Sequence, residues 1–235
     1  MRAVILAGGK GVRLAPLTEV IPKPLVPIGG APIMEIVIRQ LQRHGFKHIT
    51  LAVGYMAELI QAYFQDGARL GVKIDYSREP GPLGTAGPLD LIRGLDETFL
   101  VMNADVLTDL DYNRLIQYHR EHQWLATISA YQRQATIDLG VIITDGHCRI
   151  QDYIEKPSTT HLVSMGVYVF EPEVLSYVRG RGYLDFPDLV KILLNDHRLV
   201  NYYPFDGYWL DIGRHDDYGR AAEEFAAMKQ TLGLD

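Results

Sequence analysis

The feature that most constrains this chain is a glycine-rich loop that directly follows a short apolar run near its start. Residues 3–7 are all apolar, a run long enough for a buried strand and too short for a helix. Gly8, Gly9 and Gly11 come next. Glycine lets a ligand approach the backbone and permits positive φ, so that successive N–H groups can point into one anion-binding concavity. The sequence therefore predicts a polyphosphate cradle where the first strand ends.

Two cations flank this loop and strengthen the prediction. Arg13 offers a planar guanidinium that can grip a phosphate, and Lys23 offers a compact positive charge. The loop fits neither standard nucleotide motif, because Leu14 stands where the dinucleotide fingerprint needs its third glycine and Gly11 stands where a P-loop needs Ser or Thr. A glycine cluster after a strand is also typical of an ordinary turn. The pattern alone leaves both interpretations open.

Helical and strand patterns alternate through the first half of the chain, which predicts an α/β fold. Helical spacing and short apolar runs alternate in the following order: 32–44 (helix), 48–53 (strand), 57–66 (helix), 72–76 (strand), 88–93 (short helix), 98–103 (strand) and 111–122 (helix). Such alternation is typical of an open, doubly wound, mostly parallel (Rossmann-like) sheet that binds ligands at the carboxyl ends of its strands. His119 and His122, near the end of the last of these helices, are expected to be solvated.

The second half is richer in strands. Strand patterns cover residues 124–131, 139–144 and 148–154, with a hairpin turn expected at Asp145-Gly146. We expect an inserted antiparallel portion here. Further helices are predicted at 172–178, 186–195 and about 215–230, with a strand at 199–205.

Composition narrows the class of protein. At 235 residues and 47% apolar content the chain can form one domain, and its net charge of −6 disfavours nucleic acid or an anionic membrane as a partner. The single Cys148 excludes an internal disulfide, and no run approaches the roughly twenty apolar residues of a membrane span. We expect a cytoplasmic protein.

Two carboxylates stand near the ends of strand patterns, and a third precedes a helix pattern. Asp105 follows the run at 98–103, Glu79 begins a loop rich in Gly and Pro at 79–87, and Asp211 precedes the last helix pattern. Mg²⁺ prefers one or two carboxylates together with phosphate oxygens, which suits Asp105. A carboxylate such as Glu79 also complements the adjacent N–H donors of guanine. Helix caps or exposed loop residues are alternative interpretations of all three.

Residues 6–18 and 22–35 together resemble the signature of the sugar-1-phosphate nucleotidyltransferases, with matching spacing. Similar blocks extend across nearly the whole chain, at residues 82–87, 139–141, 155–157, 163–168 and 208–213. The resemblance implies a transferase that converts a nucleoside triphosphate and a sugar 1-phosphate into a nucleotide sugar and pyrophosphate, with Mg²⁺ as cofactor. It is compatible with a homo-oligomer.

The resemblance also implies a role for each matching residue. Arg13 and Lys23 would be catalytic, and Asp105 and Asp211 would bind Mg²⁺. The nucleotide would contact Leu6, Ala7, Gly8, Gly9, Gly11, Glu79, Pro82, Leu83, Gly84, Thr85 and Asn103. The sugar phosphate would contact Gly140, Glu155, Lys156 and Ser164. From the residues alone, Glu155 and Lys156 would instead be interpreted as a surface pair at the end of a strand.

Two departures from the family pattern bear on specificity. Val12 stands where relatives often carry a hydroxyl residue, and Ser164 stands where they often carry an asparagine that spans two sugar hydroxyls. We favour a guanylyltransferase acting on a mannose- or heptose-like sugar. A uridylyl- or thymidylyltransferase, a non-catalytic regulatory subunit of the same fold and, more distantly, a dinucleotide-dependent oxidoreductase remain alternatives.

The domain organisation is expected to be simple. We expect one nucleotidyltransferase domain over residues 1–235, with a nucleotide-binding part at about 1–122, a sugar-binding part at about 123–215 and a final helix. The sequence shows no hexapeptide repeats of the kind that some relatives append. A second activity is therefore not expected.

Overall fold

The computed structural model describes residues 1–229. Its strands are β1 (Arg2–Ala7), β2 (Pro27–Ile28), β3 (Ala31–Pro32), β4 (His48–Val53), β5 (Lys73–Arg78), β6 (Phe99–Asn103), β7 (Val106–Thr108), β8 (Ala126–Thr136), β9 (Gly140–Thr144), β10 (Ile150–Glu155), β11 (Ser158–Phe170), β12 (Val200–Phe205) and β13 (Trp209–Asp211). Its helices are α1 (Leu17–Val20), α2 (Ile33–Arg43), α3 (Ala57–Phe64), α4 (Tyr112–His122), α5 (Phe186–Asn195) and α6 (His215–Met228). Among these described helices, none combines the length and apolarity needed to cross a bilayer.

The main sheet confirms the predicted fold class. Within the described residues its seven strands lie in the order β12-β8-β11-β6-β1-β4-β5. β1 is parallel to β4 and β6, and β4 is parallel to β5. β11 is antiparallel to β6 and β8, while β12 is parallel to β8. Four neighbouring parallel strands, β6, β1, β4 and β5, therefore present their carboxyl ends along one edge.

Most predicted elements lie within a few residues of the observed ones. The helix predicted at 186–195 is α5 and the strand predicted at 48–53 is β4. The segments predicted as helices at 88–93 and 172–178 are 3₁₀ turns, a geometry that is common in short connecting segments. Residue 230, the predicted end of the last helix, lies outside the described residues.

β8 to β11 form a long antiparallel arm. In the pairing of β8 with β11, Ala126 lies opposite Phe170 at one end and Thr136 lies opposite Ser158 at the other. β9 and β10 form a second antiparallel pair in the same arm. The predicted antiparallel portion is thereby confirmed. β10 begins at Ile150 and not at the predicted Cys148, which lies exposed in the turn with φ +61°.

A separate apolar cluster lies beside the carboxyl edge of the sheet. It joins the glycine loop through Leu14, the segment after Lys23 through Val26, and the β13 strand through Leu210. Phe225 of α6 packs into the same cluster. Elements far apart in the chain therefore pack together in one apolar cluster beside the carboxyl edge of the sheet.

The prediction that His119 is solvated is wrong. Its side chain is fully buried, with Nδ1 2.7 Å from the Thr127 hydroxyl and Nε2 3.1 Å from a Glu171 carboxylate oxygen. Burial lowers the pKa of His119, and the hydrogen bond with Glu171 opposes the shift. The reason is helical spacing: position 119 continues the buried face of Tyr112, Leu115 and Ile116. His122 is exposed, as expected.

Candidate active site

A cavity of about 470 Å³ lies at the carboxyl edge of the four parallel strands. Its walls come from segments that follow β1, β5 and β6 and from the segment before α5. It is lined by Leu6, Ala7, Gly8, Gly9, Gly11, Val12, Arg13, Lys23, Pro24, Glu79, Pro82, Leu83, Gly84, Thr85, Pro88, Asn103, Ala104, Asp105, Tyr183 and Asp185. All eleven residues proposed to contact the nucleotide are among them, together with Arg13, Lys23 and Asp105.

The glycine loop is shaped by close contact with the Lys23 segment. Gly11 has φ +64°, and a Cβ at this position would lie 2.9 Å from the Cβ of Lys23. The hydroxyl of Thr18 donates to the carbonyl of Gly11 at 2.9 Å. A side chain at position 11 would therefore clash with Lys23, whereas a Cβ on Gly9 would meet no atom within 4 Å. Glycine at position 11 therefore brings Lys23 against the loop, and Gly9 leaves it open to a ligand.

Lys23 and Asp105 form an ion pair at the floor of the cavity. Lys23 Nζ donates to Asp105 Oδ2, and the two side chains are only 12% and 18% exposed. Asp105 Oδ1 is buried and has no hydrogen-bond partner within the described part of the chain. An unpaired buried carboxylate oxygen is costly, so the site suits an added positive group.

A strand pair absent from the sequence prediction brings Asp211 beside Asp105. β13 pairs antiparallel with β7, with Asp211 opposite Val106, and the N–H of Ile212 donates to the carbonyl of Asp105 at 3.0 Å. Burial, and next the negative charge of Asp105, raise the pKa of Asp211; Lys23 and Arg13 oppose the shift. The two aspartates proposed as metal ligands thus lie in one acidic pair.

Arg13 approaches the same site from the glycine loop. A Cβ added to Gly213 would lie 3.4 Å from the Arg13 guanidinium. Arg13 is also close enough to Asp211 to lower the pKa of that carboxyl. The structure therefore collects two cations and two carboxylates from segments separated by up to two hundred residues in the chain.

Glu79 lies against the other side of the glycine loop. Its carboxylate accepts from the N–H of Leu83 at 3.2 Å, and a Cβ added to Gly8 would lie 2.2 Å from Glu79 Oε1. Burial raises the pKa of Glu79, and the hydrogen bond from Leu83 partly offsets this. The absence of a side chain on Gly8 is what allows the carboxylate to reach the cavity.

The four residues proposed to contact the sugar phosphate lie outside the cavity wall. Gly140, Glu155 and Lys156 are on the arm, where Lys156 Nζ forms an ion pair with Asp138 at 2.6 Å. The Ser164 hydroxyl donates to that of Tyr168 at 3.1 Å. Asp211 is likewise not among the residues that line the cavity. The roles of the sugar-phosphate residues stay predictions.

Tyr183 and Asp185 line the cavity and were missed by the sequence analysis. The hydroxyl of Tyr183 donates to Asp185 Oδ2 at 2.7 Å, and the N–H of Thr85 donates to Asp185 Oδ1 at 2.9 Å. The only local signal was a glycine turn before a helix with Pro187 in its first turn, which is common in proteins. Their position depends on a contact across a hundred residues, which no local pattern encodes.

The chain matches the family described as Nucleotidyl transferase over residues 2–227. It is 38% identical to the UTP–glucose-1-phosphate uridylyltransferase of Synechocystis sp., covering 94% of this chain and 62% of that protein. It is 35% identical to the mannose-1-phosphate guanylyltransferase catalytic subunit beta of Danio rerio, covering 93% and 62%. A putative mannose-1-phosphate guanyltransferase of Sulfolobus acidocaldarius is 36% identical, with 99% and 65% covered. The chain thus spans somewhat under two thirds of the length of these relatives.

Solved structures share the fold. HddC from Yersinia pseudotuberculosis complexed with GMP-PN superposes with a TM-score of 0.73 at 26% identity, covering 95% of this chain and 99% of that one. A putative glucose-1-phosphate thymidylyltransferase from Bacillus anthracis gives a TM-score of 0.78 at 24% identity, covering 100% and 96%, which bears on the fold alone. With the family match over nearly its whole length, the chain belongs to the nucleotidyl transferase family, among the sugar-1-phosphate nucleotidyltransferases.

Proposed function

We propose that the protein is an enzyme that transfers a nucleotidyl group from a nucleoside triphosphate to a sugar 1-phosphate and releases pyrophosphate. The observation that carries the proposal is the convergence of Arg13, Lys23, Asp105 and Asp211 beside an open glycine loop. Two anionic substrates repel each other, so a site that joins them must concentrate positive charge. We place the enzyme in the cytoplasm, where nucleoside triphosphates are made.

In this proposal the protein positions and neutralises its substrates without a covalent intermediate. The glycine loop and Arg13 hold the β- and γ-phosphates. Lys23 has three donors, of which one engages Asp105, leaving two for the α-phosphate and the sugar phosphate. A sugar-phosphate oxygen then attacks the α-phosphorus in line with the departing pyrophosphate. Glu155 and Lys156 of the arm are proposed to contact the sugar and its phosphate.

The acidic pair fits a divalent cation. Asp105 and Asp211 would hold Mg²⁺, which prefers one or two carboxylates together with phosphate oxygens and waters. The unpartnered Oδ1 atom of Asp105 is the observation that supports this fit. When bound, the cation would offset the negative charge of the triphosphate.

We favour guanine as the base and a mannose- or heptose-like sugar. Glu79 supports this, because an acceptor-only carboxylate that reaches the glycine loop suits the adjacent N1–H and N2–H groups of guanine. Relatives named for guanylyl and for uridylyl transfer match the chain similarly. Uridylyl or thymidylyl transfer is therefore the alternative.

The decisive experiment is a matrix of five nucleoside triphosphates against a panel of sugar 1-phosphates, with Mg²⁺, read by pyrophosphate release. The panel includes mannose, glucose, N-acetylglucosamine and heptose 1-phosphates. Release with at least one pair, and none with nucleotide alone, supports the proposal. Folded protein that binds nucleotide but releases no pyrophosphate with any pair would instead support a non-catalytic regulatory subunit.

Glu79→Gln is expected to shift base preference. The amide adds a donor and removes the charge, so KM for GTP should rise about tenfold or more while UTP and dTTP lose little or improve. Because burial raises the pKa of Glu79, the wild-type KM for GTP should also rise as pH falls, beginning above the ordinary titration range of a glutamate. The variant should lack this pH dependence. Equal GTP kinetics in the two proteins would remove Glu79 from base recognition.

A further inference from the structure

The acidic residue before α5 does not perform the role that its position predicts. Asp185 is the N-cap residue of α5, where an aspartate ordinarily accepts from the first free N–H groups of a helix. Its carboxylate makes no capping hydrogen bond. It faces the cleft instead, whose wall it forms together with Tyr183. A carboxylate diverted from a cap to a cavity wall is a candidate for substrate recognition.

The hydrogen-bond donors of the neighbouring loop are already used within the protein. The N–H of Thr85 donates to Asp185 Oδ1 at 2.9 Å, and the Thr85 hydroxyl donates to the same atom at 3.2 Å. That hydroxyl also accepts from the N–H of Phe186 at 2.9 Å. The N–H groups of Ala86 and Gly87 donate to a carbonyl just before α5 at 2.9 and 3.0 Å. Thr85, proposed above as a nucleotide contact, thus directs its hydroxyl proton into the protein.

What this wall offers to a ligand is acceptor capacity. An ionised carboxylate has about four lone-pair positions. Thr85 uses two on Oδ1, and the hydroxyl of Tyr183 donates to Oδ2 at 2.7 Å. One position on Oδ2 remains, and the Tyr183 oxygen can also accept. Tyr183 is 63% exposed at the cavity mouth, so both atoms are accessible to a ligand that donates.

We propose that Asp185 and Tyr183 form a hydroxyl-recognition site of the cleft, which accepts from a hydroxyl group on the sugar part of a substrate. This inference rests on the proposed function, since it takes the substrates to be a nucleoside triphosphate and a sugar 1-phosphate. The base of the nucleotide is assigned to Glu79, which lies against the glycine loop, so the remaining hydrogen-bond donors of the two proposed substrates are the hydroxyl groups of their sugars. Hydroxyl groups occur on both the ribose and the hexose, and the experiment separates these two sources.

The test uses Asp185→Asn and Tyr183→Phe in steady-state kinetics with the best substrate pair of the wild type. For Asp185→Asn, KM for one substrate should rise about tenfold or more, with kcat changed by less than about threefold. A 2′-deoxynucleotide and a set of monodeoxy sugar 1-phosphates identify the hydroxyl. The analogue that lacks the recognised hydroxyl should have the same raised KM with the wild type as the natural substrate has with Asp185→Asn. Testing that analogue with Asp185→Asn should raise KM no further.

Tyr177→Phe is the matched control. Tyr177 donates to Asp196 Oδ2, so it forms a second Tyr–Asp pair against the far end of α5, outside the cavity wall. Both KM values should be unchanged in this variant. The same substitution in the two pairs therefore separates recognition from a general effect of losing a tyrosine hydroxyl.

The outcomes distinguish this inference from the proposed function. If the wild type is active and Asp185→Asn leaves both KM values unchanged, the inference alone is overturned. The same conclusion follows if Asp185→Asn raises both KM values equally and its effect adds to that of every deoxy analogue. A wild type that releases no pyrophosphate overturns the proposed function. Calorimetric binding of GTP, UTP, glucose 1-phosphate and mannose 1-phosphate then decides the inference: weaker binding of one of them by Asp185→Asn supports it, and equal or undetectable binding rejects it.

Discussion

Replacing Asp211 with asparagine is expected to raise the unfolding temperature while lowering pyrophosphate release by at least about 100-fold. Burial and the charge of Asp105 raise the pKa of Asp211, which means that the ionised form is disfavoured in the folded protein. The substitution removes this repulsion and should raise Tm by about 2 °C or more. It also removes a carboxylate proposed to hold Mg²⁺, so activity and stability should change in opposite directions.

The pH dependence of stability follows from the same shift. Because the folded-state pKa of Asp211 lies above its unfolded-state value, protonation favours the folded protein. The contribution of Asp211 to stability is greatest at pH below about 4 and is lost as pH rises through the folded-state pKa. In Asp211→Asn this decline should be absent. Thermal unfolding of both proteins from pH 4 to pH 8 measures the difference.

Asp105→Asn is the matched comparison. It should lower activity as much as Asp211→Asn but reduce stability, by about 1–3 kcal/mol, because Lys23 is only 12% exposed and loses its ion-pair partner. The protein should remain folded. Near-normal turnover in either variant would remove that aspartate from the mechanism, and a lower Tm in Asp211→Asn would contradict the electrostatic account.

Lys23→Ala is expected to lower kcat by about 100- to 1,000-fold with a much smaller change in the KM of either substrate. Lys23 lies at the cavity floor, where its charge matters most as the α-phosphate becomes crowded in the transition state. Single-turnover pyrophosphate release measures this step directly. Loss of the ion pair with Asp105 should also lower Tm.

Lys10→Ala provides the control for Lys23→Ala. Lys10 belongs to the glycine loop but does not line the main cavity, and it has no place in the proposed mechanism. Its loss should change kcat by less than about threefold. A rise in KM without loss of kcat in Lys23→Ala would show that this lysine binds the ground state and transition state equally.

The local parts of the fold and site were predictable from sequence because they depend on short-range patterns. The apolar run at Ala3–Ala7 and the glycines after it predicted β1 and the cavity loop. Helix boundaries followed from periodicity, as at 111–122, where the structure shows that the Asp111 carboxylate caps the helix by accepting from the N–H groups of Asn113 and Arg114.

The long-range parts were not predictable in this way. The pairing of β13 with β7 joins segments about a hundred residues apart, and each strand is only three residues long. Family resemblance placed Asp211 near Asp105, but no periodicity did. Asp185 is a second long-range case: although it is the N-cap residue of α5, its carboxylate lines the cavity and makes no capping hydrogen bond.

The loop at residues 82–87 is held to the segment before α5 largely by main-chain hydrogen bonds. The N–H of Leu184 donates to the carbonyl of Leu83 at 2.9 Å, and the carbonyl of Leu184 accepts from Ala86 and Gly87. Every residue has a main-chain carbonyl, and every residue except proline has a main-chain N–H. These hydrogen bonds therefore persist through most side-chain replacements. Evolution can therefore replace the side chains that contact a nucleotide or sugar without changing the main-chain hydrogen bonds that hold this loop. Divergence of substrate preference among proteins that share these hydrogen bonds would then require few coordinated mutations.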